Sequence, residues 1–175
     1  DTVVLDNAEL TAGALTATAS LGDLSVKDAV ITATKGGITL TAEAADIDAS
    51  SAKLTAEGEV KLTAQNSITA TDASVESASL AMTANTGSVE ATGFTATVAD
   101  QASVVAGDTV VLDNAELTAG ALTATANLGD LSMMSAELDI SDAAELTAKQ
   151  SITATDANLT SNSLTMTAVT GKLDG

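Results

Sequence analysis

The chain of 175 residues contains no cysteine, histidine, arginine, proline, tryptophan or tyrosine, and a single phenylalanine. Each absence removes a class of chemistry. Without cysteine there is no disulfide and no thiolate. Without histidine or cysteine, Ser/His/Asp and Cys/His nucleophile machinery and the usual zinc sites are excluded. Six lysines stand against 24 acidic residues, a net charge of −18, so the basic surface that nucleic acid or an anionic membrane requires is missing. No apolar run approaches the ~18 residues of a spanning helix, and no membrane insertion is expected. The lack of proline suits a chain whose backbone N–H groups are used up in strand ladders.

What the chain does have is repetition. Residues 1–25 return at 108–132 with one change, Ser20 against Asn127, and residues 61–73 return at 145–157 with the same SITATDA core. The two offsets, 107 and 84, fit a unit of about 21 residues, as five units plus two residues and as four units. Stepping through the chain at that stride gives Val3, Leu24, Ile47, Ile68, Val89, Val110, Leu131, Ile152 and Leu173, all aliphatic, with one longer stride between Leu24 and Ile47. A second row runs Leu10, Ile31, Leu54, Val75, Ala96, Leu117, Leu138 and Leu159. A third carries alternating apolar sets such as Ile38/Leu40/Ala42 and Leu164/Met166/Ala168. Alternation at period two marks strands with one buried face, and the apolar spacing of a helix is absent.

These rows predict an all-β fold, a right-handed parallel β-helix (β-solenoid). About 21 residues make a rung, three strands make each rung, and about eight rungs make the chain. Residues 1–175 are expected to form one continuous solenoid, a segment of a longer repeat array. One inward corner position reads Ala8, Ala29, Ala52, Ala73, Phe94, Ala115, Ala136 and Ala157, which predicts room there for little more than a methyl group. The residues Ala99-Asp100-Gln101 are expected to form a corner between the second and third strands. Corner pairs such as Asp113-Asn114 read as turn formers.

The acidic residues fall on outward positions and corners, and the expectation is a solvated, self-repelling surface. No calcium-binding nonapeptide or EF-hand loop is present, so no cofactor is expected beyond weak, nonspecific Ca²⁺ binding to the acidic face. No outward row stacks several acids beside a lysine, and no aromatic side chain could stack on a sugar ring. The chain is not expected to be an enzyme.

The most specific outward feature is a threonine array on the third strand. One row reads Thr18, Thr41, Thr63, Thr83, Val105, Thr125, Thr147 and Thr167; its neighbour contributes Thr16, Thr39, Thr123 and Thr165 but is interrupted at Lys61 and Glu145. Such a Thr-x-Thr grid resembles ice-binding solenoids and makes these threonines a candidate ice-binding or partner face. The competing explanation is plain strand chemistry, because threonine is favoured on any exposed strand face.

The segments GDLSVKDAVITATKGGITLTAEAADIDASSAKLTA (Gly22–Ala56) and GSVEATG (Gly87–Gly93) resemble filamentous-haemagglutinin-type repeats. That resemblance implies the right-handed β-helical shaft of a large adhesin secreted by the two-partner route, located outside the cell or on its surface. It carries over no functional residues. The function expected is a structural shaft or filament, whose partners are further copies of the repeat or the same chain joined end to end. Ice binding through the threonine face is the other alternative.

Overall fold

The computed structural model describes residues 1–175, as strands joined by turns, bends and short irregular links, with no helix. Eight stacked turns and the first strand of a ninth form a parallel β-solenoid. We number the rungs one to eight from residues 1, 22, 45, 66, 87, 108, 129 and 150. First-row strands are two residues long. They pair in parallel in one nine-stranded sheet, in the order of the chain.

The register is the predicted one throughout. Val3 pairs with Leu24, Leu24 with Ile47, Ile47 with Ile68, and so on without a slip through Ile152 and Leu173. The longer stride between Leu24 and Ile47 is absorbed in the corner Thr34–Gly37, outside the ladders. Inside the tube, 49 buried apolar residues form one continuous cluster. No acid or lysine is buried; the only buried polar side chain is Ser77, whose hydroxyl has no hydrogen-bond partner.

Two features depart from the sequence expectation. Ala99-Asp100-Gln101 is not a turn: rungs five and six run straight through the second corner as the long strands Thr95–Ala106 and Glu116–Ala126. Their pairing slips by one residue between Val98 and Gln101, so a bulge bends the strand where the other rungs break it. The second and third rows are thereby joined into one 14-stranded sheet. The corner expected to admit little more than a methyl group also holds Phe94, 3% exposed, with its ring inside.

The first corner is held by backbone conformation. Asn7, Asp28, Ser51, Asp72, Asn114, Ser135 and Asp156 all have φ of 54–56°, and Gly93, at the equivalent place, has φ 64°. A turn with positive φ at its third residue suits Gly, Asn and Asp, which explains the small polar residue in front of each inward corner position. All of these residues but Asp156, in the last rung, donate their N–H to a carbonyl of the next rung, as Asp28 does to Ser50 at 3.0 Å, so the turns stack as regularly as the strands. Serine is the poorest fit among them. Ser51→Gly is therefore expected to stabilise the chain by about 0.5–1 kcal/mol, the ~1–2 kcal/mol cost of the left-handed conformation less the entropy of a new glycine. Asp28→Val should destabilise it by about 1–2 kcal/mol. Urea midpoints of the two variants against the parent test both signs.

Candidate functional face

The third-row strands place the threonine array in register. Thr18, Thr41, Thr63, Thr83, Val105, Thr125, Thr147 and Thr167 pair successively from rung one to rung eight. Beside this ladder, two residues earlier on each strand, stand Thr16, Thr39, Lys61, Ala81, Ser103, Thr123, Glu145 and Thr165. All eleven threonines singled out from the sequence thus lie on one side of one sheet, and all are exposed or half-buried. Parallel pairing sets them about 4.8 Å apart along the rod and nearly 7 Å apart along each strand. Of the eleven hydroxyls, only that of Thr123 has a partner within the chain, accepting a 3.5 Å bond from Gln101 Nε2.

Composition separates this face from that of the first row. The equivalent outward ladder of the first row reads Val4, Ser25, Asp48, Thr69, Glu90, Val111, Ser132, Thr153 and Asp174. Generic strand preference would place threonine there too, yet the row is mixed and carries three acids. The two threonine ladders of the third row carry one acid, Glu145, in a chain with 24. Acids are thus scarce in these two ladders, and the only charged residues in them are Lys61 and Glu145.

The second row differs again. Its outward ladder Thr11, Thr32, Thr55, Glu76, Thr97, Thr118, Asp139 and Thr160 is also in register. Between rungs five and seven it borders a shallow groove of about 350 Å³ lined by Thr95, Thr97, Glu116, Thr118, Glu137 and Asp139, with Ala96 and Leu117 at its floor. Sequence reasoning missed this groove, although Glu116 and Glu137 lie one stride apart and pair directly. No three acidic side chains in the chain converge closely enough to hold a metal ion.

Many acids have a structural task. Asp6 accepts from Ser25 Oγ at 2.5 Å and Lys27 N at 3.0 Å; its repeat Asp113 accepts from Ser132 Oγ at 2.6 Å and Met134 N at 2.8 Å. Asp46 and Asp130 accept from the backbone N–H groups of Ser67 and Ser151, each at 2.7 Å. In every case the carboxylate bridges to the next rung, as an acceptor that satisfies corner donors.

No family model matches the chain, and comparison with curated proteins and with solved structures gave no match either. Fold and ladder chemistry therefore carry the functional argument.

Proposed function

We propose that the chain is a shaft: a rigid spacer in a large secreted or cell-surface fibre, which holds other domains at a distance or builds extracellular filament. The observation that carries this reading is the unbroken register of all three rows, in which equivalent residues meet at every step. A core of this kind lengthens by about 4.8 Å for each added rung without redesign, and its rigidity comes from neighbour-to-neighbour stacking.

Near-identical copies at residues 1–25 and 108–132 fit growth by duplication. The resemblance of Gly22–Ala56 and Gly87–Gly93 to filamentous-haemagglutinin-type repeats supports an adhesin-type fibre and a location outside the cell. An acidic, fully solvated exterior and the absence of cysteine suit passage to that location. On this reading the partners are further repeats, in the same chain or in another copy joined end to end, and no cofactor or reaction is involved.

Two measurements test it. Antiserum against the chain should label fibres at the surface or in the medium of the source cells; label confined to the cytoplasm would overturn the proposal. Electron micrographs of the purified chain separate its two forms. A shaft segment gives discrete rods about 38 Å long, from eight rungs at the parallel-strand spacing, whereas end-to-end assembly gives filaments many times longer.

A further inference from the structure

The third-row face has a symmetry of its own. From rung two to rung eight its main ladder reads Thr41, Thr63, Thr83, Val105, Thr125, Thr147, Thr167, the same from either end, with the single apolar member at the centre. In the neighbouring ladder the two charged residues lie equally far from that centre: Lys61 two rungs before Ser103, and Glu145 two rungs after it. Both are exposed. Four rungs, about 19 Å at the parallel-strand spacing, separate them, so they cannot pair within one chain.

We propose that this face is a docking surface for the same face of a second copy of the chain, with the two rods antiparallel and the two-fold axis crossing rung five along the strand direction. Such an axis keeps each ladder opposite itself and reverses its order, as an isologous interface requires. Val105 then meets Val105, threonine meets threonine, and Lys61 of each copy meets Glu145 of the other. Moving the axis by half a rung would set Lys61 against Thr123 and Glu145 against Thr39, leaving both charges without a partner. At the margins of the face, the axis at rung five puts Glu43 opposite Val169, Glu59 opposite Ala143 and Lys149 opposite Gln65, so no like charges meet among these; Asp100, exposed at the edge of rung five, is the one acid brought toward its own copy.

The size and the electrostatics agree. Seven overlapping rungs and six-residue strands cover about 650 Å² on each copy, about 1,300 Å² in all, within the range of specific interfaces. With 24 acids in each chain, the charge-poor face is the one through which two copies can approach. The repeat along both rods is the same, so hydroxyls and methyls stay matched over the whole length. An ice lattice would instead have to accommodate two long charged side chains, and a sugar polymer would find no aromatic ring to stack on. This pairing is independent of the shaft reading, since it concerns the side of the rod rather than its length.

Sedimentation of the intact chain over a range of concentrations tests it. At about 0.15 M salt a monomer–dimer equilibrium is expected, and higher salt should strengthen it by screening the repulsion between the acidic bodies. Lys61→Glu should weaken the dimer at least about tenfold, because two like-charge contacts replace two opposite ones, and Glu145→Lys should do the same. Combining the two should restore the parent affinity. Val105→Lys, which sets a lysine against itself on the axis, should weaken it comparably, and all four variants should melt like the parent. A chain that stays monomeric at every concentration, or a dimer indifferent to these exchanges, overturns the proposal. So does a monomer showing thermal hysteresis that Thr83→Tyr or Thr125→Tyr abolishes, which would assign the face to ice.

Discussion

Ile68→Asp is expected to break the solenoid in the middle. Ile68 is fully buried, 0% exposed, and pairs with Ile47 below and Val89 above. Deleting its side chain in so packed a place costs about 2–5 kcal/mol, and an unpaired carboxylate in the tube adds several more. The sum is comparable with the whole stability of an ordinary domain. In a solenoid each rung touches only its neighbours, so the damage is local in space and global in effect: rungs one to three lose their link to rungs five to eight. Urea unfolding followed by circular dichroism should show either loss of the folded baseline or two transitions where the parent has one. Ile68→Val, which keeps the shape of the ladder, should cost only about 0.5–1.5 kcal/mol. The same aspartate at Leu173, 54% exposed in the last strand, should change the midpoint little. If Ile68→Asp melted like the parent, the first row could not be the spine of the molecule.

That spine was readable in the sequence because the tube interior leaves little choice. An inward residue must be apolar like those above and below it, so apolar character repeats at the stride of the coil even where the corner Thr34–Gly37 lengthens one turn. The threonine ladders could be read for the same reason, since their register follows from that of the core. What the sequence did not disclose depends on backbone geometry. The left-handed residues, Asn7 through Asp156, share a conformation but no single side chain, and the alanine that follows each of them is the more visible regularity. The long strands Thr95–Ala106 and Glu116–Ala126 could not be told from two strands and a corner, because a bulge and a short turn use the same kinds of residue. The groove at Glu116 and Glu137 lies beside the first halves of these long strands, between rungs five and seven.

Phe94 shows how the interior tolerates an exception, and its removal is expected to be the most costly truncation in the chain. Seven rungs place alanine at this corner. Rung five, which places Phe94 there, is also the rung where the second row shrinks to Ala96, while every other rung has Leu, Ile or Val. Its third row begins inside with Ala102, where most rungs carry Leu, Ile or Val; all three side chains are buried. Rung seven shows the same trade in other positions. Ala144 is small where its neighbour Leu122 is large, and Met133 and Ile140 are larger than the residues most rungs place there. Volume is thus conserved within each rung rather than at each position, as close packing requires. Phe94→Ala should therefore destabilise by about 3–5 kcal/mol, because it empties space that no neighbour has the bulk to refill. Ala102→Leu alone should also destabilise, by about 1–3 kcal/mol, through overpacking against the ring. Together the two should cost less than Phe94→Ala by itself, with a coupling of about 1 kcal/mol or more in a double-mutant cycle of urea midpoints. Simple additivity would mean that the ring and Ala102 do not share one cavity, and conservation of volume by rung would fail with it.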